Sequence, residues 1–450
     1  MRASVISGER GEQAGERNGP LRIALLGCGV VGSQVARLLA EQGADLAARA
    51  GGPLEIAGIA VRRPELARTS GIDASLLTGD ALALVRRPGV DIVVELIGGI
   101  EPARSLVLAA LGAGRSVVTA NKALLASDGA ALHKAAGANG ADLYYEAAVA
   151  GAIPLLRALR ESLAGDTVNR VLGIVNGTTN FVLDRMDSDG ADFGPALAEA
   201  QRLGYAETDP SADIDGLDAR SKLAILAALA FGEKITPADI FVEGIRRISP
   251  MDFQYAHQLG HTIRLICGAR QTPDGLILSV RPALVGLQTI IAGVQGAYNA
   301  VWVKGRYGED TFYYGRGAGS LPTGVAVVSD LMRVAREIRH GRPERVSPFA
   351  HERLGEYKPL SVTSEKCAYY LRFRVDDRPG IIASLAGILA EQHISLEAVL
   401  QLPSDSKHDL PFVITVEPTF EHAVREAVQK MSNLEFLREP PLALPMEPPL

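Results

Sequence analysis

The stretch from Tyr205 to Gly232, YAETDPSADIDGLDARSKLAILAALAFG, sets five carboxylates (Glu207, Asp209, Asp213, Asp215 and Asp218) ahead of one lysine, Lys222. Such a cluster could serve as a cation loop, a solvated acidic face or an acid/base site. A calcium loop of the EF-hand kind needs oxygen ligands at positions 1, 3 and 5, glycine at 6 and a bidentate glutamate at 12. Setting Gly216 at position 6 supplies Ser211, Asp213 and Asp215, but Lys222 then stands where the last carboxylate belongs. That excludes the calcium loop. A bare acidic face is opposed by the apolar run from Leu223 through Phe231, which marks a buried helix. Asp218 and Lys222 share one face of it at i, i+4. Burial and the helix dipole lower the pKa of a lysine near a helix start, while neighbouring carboxylates raise it. That balance suits a general acid/base lysine and equally a structural ion pair, and the residues alone leave both open.

A second cluster lies at IALLGCGVVGSQVARLL, where Gly27, Gly29 and Gly32 keep GxGxxG spacing between a strand and a helix. The first glycine permits the tight turn, the second lets a pyrophosphate approach, and the third lets helix pack on strand. The helix start at Val30 and Val31 supplies free N–H groups and partial positive charge for the phosphates. The alternative is a glycine turn without a ligand. The second strand, EIAGIAVRRPE, ends in Arg62 and Arg63 rather than an acid. Guanidinium there suits a 2′-phosphate and favours NADPH over NADH, unless both are plain surface arginines. Ile97 and Gly98 end the fourth strand, where a nicotinamide could rest. His257 and His261 stand at i, i+4 without the glutamate of a zinc-hydrolase motif, so a structural role is favoured for both. Neither GxSxG nor a Cys/His pair argues for a covalent nucleophile.

The elements around these clusters fall into distinct regions. From Leu21 to Ala150, strands such as LRIALLG, LEIAGIAV, VDIVVELIG, SVVTA and ADLYYEAAV alternate with amphipathic helices, which predicts a parallel doubly wound α/β sheet of the Rossmann type. Residues 151–341 read as an α+β domain for catalysis and oligomerisation, whose last helix, Thr323–Gly341, packs back on the nucleotide domain. Residues 342–366 read as a linker with Pro343, Pro348 and Pro359. Residues 367–450 give strand, helix, strand, strand, helix before a proline-rich end that is unlike a helix. Residues 1–20 form a polar tail without a secretory apolar core, expected to be disordered. The 450 residues are 47% hydrophobic and 22% charged with net charge −6 and no long basic block, which argues against nucleic acid or an anionic membrane as partner. Cys28, Cys267 and Cys367 are far apart, as suits a reducing, cytoplasmic setting.

Together the motifs GCGVVG, TANKALLA, YEAAVAGAIP, NGTTNFVL, GYAETDPSADIDGLDARSKLAIL and YGRGAGSLPTGVAVVSDL resemble the homoserine dehydrogenase family from Leu21 onward. The resemblance implies reversible reduction of L-aspartate 4-semialdehyde to L-homoserine, with Lys222 as proton donor and Lys122 as a second lysine near cofactor and substrate. It further implies that Glu207 and Asp218 hold the substrate's amino group and the site's charge balance, while Gly177, Thr178, Tyr205 and Asp213 line the substrate pocket. Asp209 and Asp215 are left mainly structural. YEAAVAGAIP is similar to the family's sodium loop, with Glu146 and the carbonyls of Val149, Gly151 and Ile153 as ligands. Arg316 stands where the family usually has proline, which bears on the expected cofactor contact of Gly317. The C-terminal unit resembles a βαββαβ ACT domain, in which Asp377, Pro379 and Gly380 would receive a regulatory amino acid, threonine by the logic of the pathway. A homodimer or homotetramer is expected. The alternatives are a non-catalytic nucleotide-dependent amino-acid sensor and another amino-acid dehydrogenase on the same fold.

Overall fold

The structure, a computed structural model, describes residues 19–64, 72–341, 345–402 and 408–448. The expected tail lies outside the described residues as far as Asn18. The chain forms two compact units.

One unit comprises the chain up to Asn121 together with Ala131–Tyr145 and Gly324–Pro348. Its strands are β1 (Leu21–Leu26), β2 (Leu54–Ala60), β3 (Leu77–Thr78), β4 (Ile92–Glu95), β5 (Ser116–Thr119) and β6 (Leu143–Tyr144). They run parallel in the order β3-β2-β1-β4-β5-β6. Every residue of β4 and β5 is buried, as a parallel sheet covered on both faces requires. Succession reverses at β1, with β2 on one side and β4 on the other. In such sheets the crevice beyond the carboxyl ends at this reversal holds the ligand. From Gly324 the helix Ser320–Arg339 belongs to this unit. A Cβ on Gly324 would meet that of Gln34 at 3.1 Å, so this helix lies close to the helix Val30–Glu41. Arg339 donates to the carbonyls of Gly19 (2.9 Å) and Pro53 (3.0 Å), and Tyr144 donates to Glu337 Oε1 (2.9 Å).

The other unit is built on one large mixed sheet. Its strands are β7 (Val168–Ile174), β8 (Phe241–Val242), β9 (His261–Thr272), β10 (Gly275–Gly286), β11 (Tyr298–Gly305), β12 (Asp310–Arg316), β13 (Pro359–Leu360), β14 (Lys366–Val375), β15 (Leu396–Leu400), β16 (Leu410–Phe420) and β17 (Leu442–Met446). The path is β12-β11-β7-β9-β10-β17-β14-β16-β15, with β8 and β13 added alongside β10. The helix Leu217–Phe231 packs on β7, β9 and β10, and its residues from Lys222 to Leu229 are buried. Beyond β14 the order is strand, helix Ile381–Glu391, β15, β16, helix Glu421–Met431, β17, a complete βαββαβ unit with its own core around Tyr369, Leu371, Phe373, Leu385, Leu389 and Ile414.

Two segments are packed more closely than their composition alone requires. The described part of the linker is packed down: Phe349 and Val362 are buried, and β13 pairs with β10 at Leu276 and Ile277. The proline-rich end forms a strand, β17, between β10 and β14. Proline is tolerated because pairing with β10 is confined to Met446, after Pro445, and the next bond comes from Glu447 N to Leu284 O (2.8 Å).

Candidate active site

Two segments converge on the acidic motif. β7 ends at Ile174; Val175 follows, and Asn176 caps the helix Gly177–Ser188, its side-chain oxygen accepting the Thr179 N–H at 2.9 Å. Opposite it, Gly216 at φ 80° turns the chain into the helix that carries Asp218 and Lys222. Buried Lys222 Nζ contacts Asp218 Oδ2 at 2.8 Å and donates to the Val175 carbonyl at 2.8 Å. Lys122 Nζ lies 2.7 Å from Asp218 Oδ1. Burial works against the charge of Asp218, but Lys222 and then Lys122 hold its carboxyl far below the usual carboxylate range. Burial likewise opposes the charge of Lys122, yet Asp218, Asp213 and Glu207 together raise its pKa above the ordinary lysine value. Asp213 goes the other way: burial pushes it above the usual range, against the hydrogen bond from Asn176. Thr178 Oγ1 donates to the Tyr205 carbonyl at 2.6 Å, while Tyr205 and Glu207 are exposed at the rim. Asp209 and Asp215 serve local structure, accepting from Ser211 N (3.1 Å) and Arg246 Nε (2.6 Å) respectively.

The glycines of the first unit each meet a separate demand. Gly27 has φ 98°, and a Cβ there would lie 2.7 Å from the Leu96 carbonyl oxygen. On Gly32 a Cβ would lie 2.2 Å from the Gly27 carbonyl oxygen, whereas Gly29 has open space around it. Gly29 is also the N-cap of the helix Val30–Glu41, which has no side-chain cap, and Val30 is exposed there. These are the conditions a pyrophosphate needs. Arg62 and Arg63 are exposed just past β2. Ile97 and Gly98 sit in a loop with Gly98 at φ 80°.

Glu146 is buried and accepts the N–H groups of Leu156 and Arg157, both at 2.8 Å. Ala150 at φ 52° kinks the loop between Val149 and Gly151, and the Ile153 carbonyl accepts Leu155 N at 2.8 Å. One carboxylate among backbone carbonyls fits a hard monovalent cation. Gly317 has a packing reason for its identity, since a Cβ would fall 2.0 Å from the Asn299 side chain. Asp377, Pro379 and Gly380 are exposed, and Gly380 at φ 93° caps the helix Ile381–Glu391 without a side chain. His257 pairs with Asp187 at 2.7 Å and His261 contacts the Leu259 carbonyl at 2.6 Å; among the described residues no carboxylate, histidine and cysteine cluster could hold a metal. The three cysteines are free thiols.

Residues 27–146 match the model of the homoserine dehydrogenase NAD-binding domain, 154–332 that of homoserine dehydrogenase, and 369–436 that of the ACT domain. The chain is 47% identical over 413 residues to homoserine dehydrogenase of Corynebacterium glutamicum, covering 90% of this chain and 91% of that one. The chain belongs to the homoserine dehydrogenase family. It is therefore an NAD(P)-dependent oxidoreductase acting on a CH–OH group. A homoserine dehydrogenase from Pseudomonas aeruginosa is 38% identical over 95% of this chain and 99% of its own. The crystal structure of a homoserine dehydrogenase from Thiobacillus denitrificans superposes with a TM-score of 0.89 at 40% identity, covering 96% of this chain and 99% of that one. A hyperthermophilic archaeal homoserine dehydrogenase in complex with NADPH matches at TM-score 0.60 and 27% identity over 70% of this chain and 97% of its own.

Against this homoserine dehydrogenase frame, two residues stand out to which the sequence reading gave no role. Asn176 reaches both Asp213 and Asp218; its signal in the sequence is a strand followed by an N-cap asparagine. Glu95, buried at the end of β4, accepts from Ile97 N (2.8 Å), Gly98 N (3.1 Å) and Thr119 Oγ1 (2.6 Å). It shapes the loop expected to face the nicotinamide. A carboxylate closing an otherwise apolar strand was the cue.

Proposed function

We propose that the chain reversibly reduces L-aspartate 4-semialdehyde to L-homoserine with Lys222 as the proton donor. The observation that carries this reading is the donor inventory of Lys222. An ammonium has three N–H bonds. One meets Asp218 and one the Val175 carbonyl, so a third is available to the substrate's carbonyl oxygen. NADPH, when bound, supplies the hydride to the aldehyde carbon. As that carbon is reduced, Lys222 delivers a proton to the oxygen; in the reverse direction it takes the hydroxyl proton back. Asp218, ionised and gripped from both sides, fixes where that ammonium stands. Glu207 and Asp213 offer negative charge to the substrate's amino group, and Gly177, Thr178 and Tyr205 shape the pocket.

Gly27, Gly29, Val30, Val31 and Gly32 hold the pyrophosphate in this reading, Ile97, Gly98, Lys122 and Gly317 line the remainder of the cofactor, and Arg62 and Arg63 favour NADPH. The NADPH complex of the archaeal relative is consistent with that preference. Glu146, Val149, Gly151 and Ile153 are assigned to a sodium ion with a structural role. Threonine is assigned to the turn at Asp377, Pro379 and Gly380, where the open helix start suits a carboxylate. The working domains are 21–150, 151–341 and 367–450, in a cytoplasmic homodimer or homotetramer. Consistent with this, no described helix is long and apolar enough to cross a membrane.

Aspartate-semialdehyde-dependent oxidation of NADPH and NADH, with and without threonine, tests the reading on wild type and Lys222→Ala. The substitution is expected to lower kcat by ~10²–10⁴-fold while NADPH still binds. Undiminished turnover in Lys222→Ala overturns the mechanism.

A further inference from the structure

The ends of Lys222 and Asp218 are set by the two residues that follow β7 as much as by their own helix. Val175 contributes its carbonyl to Lys222, and the next residue contributes its side chain to Asp218. That side chain, Asn176, is 4% exposed. Its Nδ2 donates to Asp218 Oδ2 at 2.8 Å and to Asp213 Oδ1 at 2.7 Å, which uses both amide protons. Oδ1 accepts from Thr179 N at 2.9 Å and Thr179 Oγ1 at 3.0 Å. The amide can adopt only one orientation, since a flip would turn its oxygen toward two carboxylates.

We propose that Asn176 is a positioning residue that bridges Asp213 and Asp218 and thereby aims Lys222 at the substrate. The inference rests on the proton-donor reading of Lys222. Two carboxylates this close repel each other, and a neutral amide with two protons holds both without adding charge. Asp218 Oδ2 is shared by Asn176 and Lys222, so losing the amide frees the carboxylate to rotate and carry the ammonium with it. A displacement of about an ångström in such a site costs roughly 100-fold in rate. The charged and titratable groups that face the bridge are Asp213 from the acidic segment, Asp218 and Lys222 from the buried helix, Lys122, Glu207 and, from β9, Cys267, whose thiol burial pushes up to about 12.

Asn176→Ser and Asn176→Asp separate this role from helix capping, because serine and aspartate both cap well. Serine removes the double donor; aspartate replaces it with a third carboxylate. Each variant is first titrated with NADPH, whose unchanged affinity establishes a folded protein. The expected result is a kcat loss of roughly 100-fold in both variants. In Asn176→Asp the acid limb of the kcat/KM profile also moves to higher pH, because added negative charge favours the protonated acids. Wild-type kcat and an unmoved limb in either variant that binds NADPH overturn the proposal. If Lys222→Ala is inactive while these variants are unaffected, this inference alone fails. An active Lys222→Ala removes the mechanism it builds on.

Discussion

Asp213 and Asp218 lie on one short stretch of chain, yet their surroundings push them in opposite directions. Asp218 stays ionised far below the usual range because Lys222 and Lys122 flank it, whereas burial raises Asp213. Pairs of acids separated in this way divide the labour of a site. On the proposed reading, as pH falls Asp213 takes up a proton first and loses its attraction for the substrate's ammonium, while Asp218 keeps its grip on both lysines. The acid limb of kcat/KM is therefore expected above the ordinary aspartate value of about 3.9 and to belong to Asp213. Asp213→Asn should lower kcat/KM at every pH and remove that limb, read from pH profiles of wild type and variant. A limb that persists unchanged in the variant contradicts the assignment.

At the scale of an element, the strand β1, its glycine loop and the helix Val30–Glu41 distinguish structural from functional glycines. Gly32→Ala forces a Cβ into the Gly27 carbonyl and should destabilise the unit, with a lowered Tm and no NADPH binding. Gly29→Ala meets nothing in the protein and should leave Tm unchanged while weakening NADPH affinity at least tenfold, as fluorescence titration would show. Equal effects on Tm would deny the distinction. The packing demands on Gly27 and Gly32 were legible from the text because they are local: strand, turn and helix are consecutive. So was the burial of Lys222, announced by the apolar run behind it. The bridge through Asn176 was not, because its partners lie 37 and 42 residues away and nothing in NGTT specifies which carboxylates will face it. The last strand, β17, was legible through the βαββαβ resemblance, whereas Pro441 and Pro445 by themselves argue only against a helix.

At the scale of the second unit, that late strand makes the ACT sheet a continuation of the catalytic sheet, and an ionic seam accompanies it. Arg281 on β10 is buried and contacts Glu421, which opens the helix after β16, and Glu365 Oε2 at 2.6 Å. Tyr369 Oη donates to Glu421 at 3.1 Å, and Arg425 Nε lies 2.8 Å from its other oxygen. Burial disfavours the charge of Glu421, yet Arg281 and Arg425 carry its carboxyl below the ordinary glutamate value. Its contribution to stability is complete above that ordinary value and is lost as pH falls through the depressed one. Glu365 is shifted upward, chiefly by burial, so its ionisation leans on the same arginine. Buried pairs give little against an apolar replacement, but removing one partner strands the other. Arg281→Met should therefore destabilise this unit by about 3–5 kcal/mol, and adding Glu421→Leu and Glu365→Leu should recover most of the loss. Urea unfolding of the single and triple variants measures both. A single variant within experimental error of wild type would mean that backbone pairing through β17, and not the ion cluster, holds the ACT sheet to the catalytic one.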